Sequence, residues 1–418
     1  MPVSNWPAVV IPVTDLQLPK LRIKTTLGEF QSATGDNRFS MYVCGITPYD
    51  ATHLGHAATY LTFDLINRYL QLSGVEVTFV ENITDIDDPL FERAKRDNQS
   101  WSELGDSQVA LFESDMTALR VLPPKAYVSV TQAMGSIISA IEKLVATGYT
   151  YELAGNVYFR IAQFLPNLAE LSLSQEEALT IFSERGGDPE RPGKENALDP
   201  ILWVANKDGE PGWKSKMGFG RPGWHIECSV IALQNLVGVD YLVQKRDVQH
   251  EIDLQGGGSD LIFPHHFMTA AIAQALTGNN FSRSYIHAAM VGLDGEKMSK
   301  SKGNLVLVSN LLKAGSDPMV IRHALLSESY SVDRMWHMNT LSKSQERVTK
   351  LRSALARVEV APTDQVIMSI AASIANDLNT PAALEILDDW ALQTQNGLLG
   401  GSVGEISRFI DAALGLAL

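Results

Sequence analysis

The stretch from Phe39 to Val80 constrains the fold more than any other part of this sequence. It starts with Phe39-Ser-Met-Tyr-Val-Cys-Gly45, a run rich in strand-forming residues that ends in glycine. Apolar residues then recur at helical spacing from Leu54 to Leu72, and Gly74 follows as a stop signal. Val75 to Val80 is a second strand-like run. A strand, a helix and a strand in this order predict a parallel βαβ unit, and therefore an open α/β sheet.

The same alternation continues along the chain and predicts five regions. A Gly- and Pro-rich loop at residues 184–193 lies among short strand-like runs, which we interpret as an insertion in the α/β domain. The polar stretch from Tyr241 to Glu251 is expected to form a surface excursion, and only helical periodicity follows Leu311. The predicted regions are a lead segment (1–38), the first half of the α/β domain (39–148), the insertion (149–200), the second half (201–310) and a helical domain (311–418).

Acidic residues outnumber basic ones, with 48 Asp and Glu against 34 Lys and Arg, which gives a formal net charge of −14. A chain this acidic has no general attraction for a polyanion, so any phosphate chemistry has to be local. Two cysteines in 418 residues cannot form a disulfide scaffold, which is typical of a reducing cytoplasm. We find neither a signal peptide nor an apolar run of the roughly 18 residues that a membrane span needs.

The motif His53-Leu-Gly-His56 stands between the first strand and its helix. In open α/β sheets this junction binds nucleotide phosphates, because helix N-terminal amides and the helix dipole favour anions. Two histidines three residues apart can donate hydrogen bonds to charge that develops on an α-phosphate. The alternative is a pair of surface histidines at a helix start.

A second motif, Lys297-Met-Ser-Lys-Ser301, follows an apolar strand and Gly295. Clustered lysines and hydroxyls on a glycine-flanked loop suit a polyphosphate, which Lys297 and Lys300 meet as compact cations. Taken alone, the motif is equally compatible with a solvated basic loop, so its pairing with His53-Leu-Gly-His56 decides the interpretation.

Cys44, Cys228, His265 and His266 all lie in glycine-rich or strand-end segments. Two thiolates and one imidazole form a zinc set, and three protein ligands leave the open position of a catalytic site. Without a CxxC pair, both cysteines can equally be small buried apolar residues. The acidic cluster Asp85, Asp87 and Asp88 suits Mg²⁺ or a helix start, and we assign it no metal.

Several longer segments carry a family resemblance. They are Tyr42-Val-Cys-Gly-Ile-Thr-Pro-Tyr-Asp50, Thr84-Asp-Ile-Asp-Asp88, Glu184-Arg-Gly-Gly-Asp-Pro189, Arg221-Pro-Gly-Trp-His-Ile-Glu-Cys228 and Gly256-Gly-Gly-Ser-Asp-Leu-Ile-Phe-Pro-His-His266. With the two motifs, they resemble the cysteinyl branch of the class I aminoacyl-tRNA synthetases and, more closely, the related cysteine ligases of mycothiol biosynthesis. The resemblance implies a Rossmann-type (HUP-like) catalytic domain with an insertion, followed by a C-terminal helical bundle.

The resemblance also implies roles for individual residues. Catalysis falls to His53, His56, Lys297 and Lys300, and Zn²⁺ to Cys44, Cys228 and His265. Contacts to cysteine or its adenylate fall to Cys44, Gly45, Ile46, Thr47, Thr59, Asn82, Ile83, Thr84, Trp224, Gly258, Ser259, Asp260 and Val291. Trp224 can equally be a core residue. Thr269 stands where the synthetases have a fourth zinc ligand, a glutamate, and Phe267 replaces another glutamate, so we expect three protein ligands.

Both related activities begin with activation of L-cysteine by Mg²⁺-ATP to cysteinyl-AMP. The ligases then transfer cysteine to the amine of glucosaminyl-inositol, and the synthetases transfer it to tRNA. Only 117 residues follow Ser301, and the last sixty contain one cation, Arg408, and eight acids, a net charge of −7. A tRNA-binding surface needs the opposite sign, so we expect the ligase reaction, no tRNA and, by analogy, a monomer. An inactive paralogue with a regulatory or binding role is disfavoured because both motifs are intact.

Overall fold

The computed structural model describes residues 6–12, 16–31, 37–207, 209–298, 303–337 and 339–418, without the side chains of residues 29–31 and 297. Its strands are β1 (Arg22–Thr25), β2 (Gly28–Gln31), β3 (Arg38–Ile46), β4 (Glu76–Ile83), β5 (Ala126–Ser129), β6 (Thr150–Leu153), β7 (Asn156–Phe159), β8 (Ile201–Ala205), β9 (Trp213–Ser215), β10 (Gly218–Pro222), β11 (His250–Gly258), β12 (Asn280–Ala288), β13 (Val291–Leu293), β14 (Glu296–Lys297) and β15 (Arg334–Trp336). Its α-helices are α1 (Leu54–Leu72), α2 (Asp88–Arg96), α3 (Trp101–Ala118), α4 (Val130–Ala146), α5 (Gln175–Glu184), α6 (Trp224–Ala232), α7 (Phe267–Thr277), α8 (Val308–Lys313), α9 (Pro318–Leu326), α10 (Thr340–Leu355), α11 (Asp364–Ala375), α12 (Thr380–Gln395) and α13 (Val403–Leu414).

The predicted βαβ unit forms the centre of a five-stranded parallel sheet with the order β12-β11-β3-β4-β5. Met41 of β3 pairs with Phe79 of β4 on one side and with Leu254 of β11 on the other. The chain fills the sheet outward from β3 to β5 and then returns to add β11 and β12 beside β3. This is the strand order of a Rossmann sheet, and it creates a crevice between the carboxyl ends of β3 and β11. The predicted α/β fold is confirmed.

Short-range signals start and stop the helices around this sheet. The ring of His53 caps α1 by accepting hydrogen bonds from backbone N–H groups of the first turn. Ser129 and Gln132 form a capping box at the start of α4. Asp87 caps α2. Of the two interpretations of the acidic cluster, the structure therefore shows the helix start. These caps fix where each helix begins relative to the strand before it.

A second sheet, antiparallel with the order β6-β7-β8-β10-β9, lies between β5 and α6 in the sequence. It contains β6 and β7 from the predicted insertion, together with β8, β9 and β10, which follow residue 200. The pairing of Val157 with Trp203 joins the two groups of strands. Trp203 is fully buried, so the two groups also share a core.

The expectation of a surface excursion from Tyr241 to Glu251 is wrong at both ends. Tyr241 and Glu251 are buried, and Glu251 already belongs to β11. Arg246 pairs with the Glu251 carboxylate at 2.7 Å, and the Lys143 ammonium donates to the carbonyl of Leu242 at 2.5 Å. Between these ends, residues 243–245, 247 and 249 are exposed, so the expectation holds there, and only the buried ends escape a hydropathy pattern.

The C-terminal region is mainly helical, from α8 to α13, with Trp390 of α12 buried at its centre. The expectation of helix alone after Leu311 is wrong at β15, which pairs in parallel with β13. Three residues are too short to show a period, so only the pairing partner defines this strand. In the part of the chain that the structure describes, no helix has the length and apolarity to cross a membrane.

A fully buried ionic cluster joins the catalytic sheet to the C-terminal helices. Asp64 of α1 accepts from Arg68 at 2.8 Å and from Arg322 of α9. Arg322 also donates to the carbonyl of Leu414 in α13 at 2.6 Å. Burial acts to raise the pKa of the Asp64 carboxyl, but the two arginines outweigh it and place that pKa below its ordinary value. Asp64 is therefore the shared counterion on which three helices depend.

We predict that Asp64→Asn lowers the free energy of unfolding by about 3–5 kcal/mol at pH 7, because two buried guanidinium groups lose their counterion. Denaturant titration measures this loss. Since folding lowers the pKa of Asp64, the difference from wild type should be complete above the ordinary carboxyl pKa of about 3.9 and shrink only below it.

Asp97→Asn is the matched control. Asp97 also pairs with two arginines, Arg93 and Arg96, but at the surface, so its loss should barely move the unfolding midpoint. Equal effects of the two variants would contradict the assigned role of Asp64.

Candidate active site

A cleft of about 380 Å³ opens at the carboxyl ends of β3 and β11, where the strand order reverses. The predicted site residues that line it are Cys44, Gly45, Ile46, Thr47, His53, His56, Thr59, Asn82, Thr84, Trp224, Cys228, Gly258, Asp260, His265 and Val291. Among the predicted residues whose side chains the structure describes, two do not line it: Ile83 packs into the core, and Ser259 begins a short 3₁₀ turn. Five separate chain segments therefore meet in one space.

The floor of the cleft is fixed by close contact between the ends of β3 and β4. The Asn82 side-chain oxygen accepts from the Tyr42 hydroxyl at 2.9 Å and from the Gly45 backbone N–H at 2.8 Å. A Cβ on Gly45 would lie 1.7 Å from the carbonyl oxygen of Asn82. Only glycine fits here, and its absence of a side chain brings Cys44 to the cleft edge.

His53 and His56 stand on the wall of the cleft with their rings stacked, the centroids 3.8 Å apart. His53 Nδ1 accepts from the backbone N–H of Gly55 at 3.1 Å and from that of His56 at 3.4 Å. A Cβ on Gly55 would lie 2.8 Å from the His53 ring, which explains the glycine of the motif. With Nδ1 occupied as an acceptor, a neutral His53 carries its proton on Nε2, where it can serve as a donor.

Both histidines of the motif are held neutral by their surroundings. Burial lowers the pKa of His53, although Asp260 and Asp50 act in the opposite direction. Burial, followed by the neighbouring His53, also lowers the pKa of His56. The His56 side chain is open to the solvent in the cleft, which moderates the effect of burial on it. At neutral pH the wall thus presents neutral imidazoles, which donate hydrogen bonds without carrying charge.

Cys44, Cys228 and His265 converge at the inner end of the cleft. The two Sγ atoms are 4.0 Å apart, and Cys228 Sγ is 3.2 Å from His265 Nε2. All three candidate ligand atoms lie within 4.8 Å of one another and are buried. A tetrahedral ion with Zn–S bonds of about 2.3 Å and Zn–N bonds of about 2.0 Å would separate such atoms by roughly 3.5–3.8 Å, so the set suits zinc.

The charge state of the two thiols is unequal. Burial raises the pKa of the Cys44 thiol. Burial also acts to raise that of Cys228, but the hydrogen bond from Cys44 and the neighbouring His265 outweigh it, so the pKa of Cys228 lies well below its ordinary value. One buried thiolate next to an imidazole is the donor set that a soft divalent metal prefers.

A layer of aromatic rings surrounds the three candidate ligands. Trp224 stacks on His265 with the ring centroids 3.9 Å apart, and His225 Nδ1 lies 2.9 Å from His265 Nδ1. His266 turns the other way, with Nε2 3.1 Å from Cys44 Sγ. Thr269 is fully buried and its hydroxyl points to the His225 carbonyl at 3.4 Å. Trp224 both lines the cleft and orients a ligand, and Thr269 is outside the ligand set.

The second motif begins on a hairpin beside the cleft. The backbone of Lys297 lies in β14, but its side chain and residues 299–302, which include Lys300, are outside the described part of the chain. The chain then returns along the first motif: Leu54 N–H donates to the Val306 carbonyl at 2.9 Å, and His53 forms a β-bridge with Leu307. The segment that follows the second motif is therefore held against the histidine motif.

The sequence analysis missed several residues that line the cleft, among them Asp50, Tyr60, Met298 and Leu305. Asp50 lies in one of the segments that carried the resemblance, and its carboxylate accepts from Arg93 at 3.0 Å. Tyr60 lies on the face of α1 that meets β3, a position that helical spacing alone assigns to the core. Neither placement could be inferred without the tertiary structure.

Comparison with known proteins adds a sequence family to this geometry. A family model described as the tRNA synthetases class I (C) catalytic domain matches residues 30–346. A protein of Streptomyces griseus named L-cysteine:1D-myo-inositol 2-amino-2-deoxy-alpha-D-glucopyranoside ligase is 47% identical over 426 residues, which cover 99% of each chain. A protein of the same name from Mycolicibacterium smegmatis is 46% identical over 99% of this chain and 100% of its own.

Solved structures show the same fold at low sequence identity. Mycobacterium tuberculosis methionyl-tRNA synthetase in complex with methionyl-adenylate superposes with a TM-score of 0.62 at 16% identity, covering 91% of this chain and 88% of its own. The ternary complex of LeuRS with tRNA from Agrobacterium radiobacter superposes with a TM-score of 0.62 at 11% identity. It covers 92% of this chain and 83% of its own. These similarities concern the fold alone.

We predict that His53 exists as the Nε2–H tautomer and stays neutral as the pH falls through 6.5, since burial lowers its pKa. Long-range ¹H–¹⁵N spectra of histidine-labelled protein measure both properties. Gly55→Ala should displace the ring and remove the Nδ1 signature, whereas Gly135→Ala, where a Cβ in α4 meets nothing within 4 Å, should leave it unchanged. A protonated Nδ1 in the wild-type protein would show that His53 does not cap α1.

Proposed function

The chain belongs to the family of L-cysteine:1D-myo-inositol 2-amino-2-deoxy-alpha-D-glucopyranoside ligases, and we infer that it joins L-cysteine to the amine of glucosaminyl-inositol with consumption of ATP. The observation that carries this inference is identity of 47% over 99% of both chains, which includes the C-terminal helices as well as the catalytic sheet. The products are the cysteine amide of glucosaminyl-inositol, AMP and diphosphate, a step of mycothiol biosynthesis. We place the reaction in the cytoplasm and assign it to a monomer.

In the first half-reaction the cysteine carboxylate attacks the α-phosphorus of Mg²⁺-ATP, forming cysteinyl-AMP and releasing diphosphate. His53, as a neutral Nε2–H donor, and His56 on the same wall stabilise charge on the α-phosphoryl oxygens in the transition state. The N-terminus of α1, directly behind them, favours the same anion. Lys297 and Lys300 hold the departing diphosphate. The hydrogen bond from Leu54 to Val306 holds the segment after the second motif beside the first motif, which favours action of both on one substrate.

Cys44, Cys228 and His265 would hold one Zn²⁺ at the inner end of the cleft. When bound, the ion would supply a soft Lewis acid that accepts the substrate thiolate and discriminates against a serine hydroxyl. Trp224, stacked on His265, closes one side of the space that the amino-acid side chain enters. With Thr269 in place of a fourth protein ligand, the site keeps the open position that a substrate ligand requires.

In the second half-reaction the amine of glucosaminyl-inositol attacks the carbonyl carbon of cysteinyl-AMP. The amide C–N bond forms, the C–O bond to the phosphate breaks, and AMP leaves with that electron pair while the amine loses a proton. The net charge of −7 over the last sixty residues is compatible with a small acceptor that can be cationic. The same charge opposes a bound tRNA.

We predict L-cysteine-dependent exchange of diphosphate into ATP, which reports the first half-reaction alone. His56→Asn should lower its rate by about 10²–10³-fold, in line with the loss of one transition-state donor. His250→Asn, at the amino end of β11 and away from the cleft, should leave it unchanged. Absence of exchange in the wild-type protein would overturn the activation step.

Acceptor-dependent release of AMP then separates the two related activities. Glucosaminyl-inositol should stimulate it in the presence of L-cysteine, and tRNA should not. Formation of cysteinylated tRNA would replace the proposed reaction by that of a cysteinyl-tRNA synthetase.

We also predict that purified wild-type protein holds one zinc per chain and that Cys228→Ser loses it, since a hydroxyl is a poor zinc ligand. Elemental analysis gives the zinc content. Thr269→Val should retain the wild-type content, because the Thr269 hydroxyl is directed to the His225 carbonyl. Unchanged zinc in Cys228→Ser would refute the site, and loss of zinc in Thr269→Val would add a fourth ligand to it.

A further inference from the structure

A line of hydrogen-bonding groups runs from the thiol of Cys44 to the N-terminal hairpin. His266 Nε2 lies 3.1 Å from Cys44 Sγ, and His266 Nδ1 lies 2.7 Å from His287 Nε2. His287 Nδ1 in turn lies 2.6 Å from the Thr26 hydroxyl. The four groups belong to β3, the segment before α7, β12 and the turn between β1 and β2. Every ring nitrogen in this line has one neighbour within hydrogen-bond distance.

Metal binding fixes the direction of this line. A neutral imidazole has one donor and one acceptor nitrogen, so the role of each end determines that of the other. A metal-bound Cys44 is a thiolate, which can only accept, and therefore His266 must donate from Nε2 and accept at Nδ1. His287 must then donate from Nε2 and accept at Nδ1. In this line, the donor to His287 Nδ1 is then the Thr26 hydroxyl. A hydroxyl can donate or accept, so it can take the role that the metal site imposes.

Thr26 is held in place independently of the metal site. Its backbone N–H donates to the Tyr285 carbonyl at 2.9 Å, which docks the hairpin turn on β12. Two residues earlier in the chain, Lys24 donates its backbone N–H to Asp377 at 2.8 Å. Asp377 also accepts from the Tyr330 hydroxyl at 2.8 Å. The hairpin is thus fixed between the sheet and the C-terminal helices, and it presents the hydroxyl at a defined position.

We propose that Thr26 is a positioning residue for the metal ligand Cys44, acting through the tautomers of His287 and His266. Its hydroxyl donates to His287, so that His266 directs an N–H group at the thiolate and not a lone pair. Hydrogen bonds of this kind orient metal ligands and adjust their affinity. The proposal rests on the zinc site of the proposed function, and it assigns to the N-terminal hairpin a part in selecting cysteine.

The first test reads the tautomers directly in the zinc-loaded, full-length, ¹⁵N-histidine-labelled protein. We expect unprotonated Nδ1 and protonated Nε2 in both His266 and His287, with signals assigned from single His→Gln variants. The reverse tautomer of either ring in the zinc-loaded protein would overturn the proposal, whatever any variant does.

The second test compares Thr26→Val, Thr26→Ser and Thr25→Val. Thr26→Val keeps the shape and removes the hydroxyl, so competition with a chelator should show zinc held about threefold to tenfold more weakly, below the effect of a residue that touches a ligand. The KM for cysteine in the exchange assay should rise while that for ATP is unchanged. Thr26→Ser should restore both values. Thr25→Val should match wild type, because the Thr25 hydroxyl donates to the Gly28 carbonyl in the same turn.

Equal zinc affinity in wild type and Thr26→Val would overturn the role of Thr26 and leave the zinc site intact. A rise of both KM values together, or failure of Thr26→Ser to restore them, would indicate a general structural effect and also overturn it. Wild-type protein without bound zinc would overturn the zinc site, and this proposal with it.

Discussion

The reversal of strand order between β3 and β11 is the constraint on which the rest of the molecule depends. It leaves the carboxyl ends of these two strands without a covering crossover, and the groups of the site reach that gap from several segments of the chain. On the other side of β3, its end packs so closely on the end of β4 that Gly45 has to pass the Asn82 carbonyl without a side chain. At the end of β3, Cys44 lies opposite Cys228. His53, a few residues later, lies at the mouth of the cleft. The buried cluster around Asp64 then holds the helix of the first motif against the C-terminal helices.

Local patterns were sufficient for the parts of the structure that are encoded over short distances. The βαβ unit, the cap at Asp87 and the position of the histidine motif follow from residues within one helix or turn. The set of Cys44, Cys228 and His265 came from a resemblance, because no spacing in the sequence joins residues 184 positions apart. Burial of Tyr241, pairing of β15, and the contact of Asp64 with Arg322 were not predicted. Each depends on a partner that is distant in the sequence, so local periodicity cannot predict it.

The acidic composition and the chemistry of phosphate transfer are compatible because the site supplies its positive potential locally. In the proposed mechanism, the N-terminus of α1, two neutral imidazoles and two lysines act on one nucleotide without making the surface basic. The last sixty residues carry eight acids and one cation, whereas an electrostatic grip on a polyanion needs cations. Where no polyanion has to be bound, the same fold is compatible with a small neutral or cationic acceptor. In the same proposal, discrimination at the amino-acid end rests on a separate group, the donor set of Cys44, Cys228 and His265.

Transfer of cysteine from the adenylate to an amino sugar is the central claim, and a single-turnover chase tests it most directly. Protein loaded with ATP and radiolabelled cysteine is freed of excess substrate, so that only bound cysteinyl-adenylate remains, and is then mixed with glucosaminyl-inositol or with tRNA. We predict that glucosaminyl-inositol discharges the adenylate within one turnover and that the label appears in an alkali-stable amide, while tRNA leaves the adenylate in place. Persistence of the adenylate with glucosaminyl-inositol, together with an alkali-labile ester on tRNA, would contradict the account.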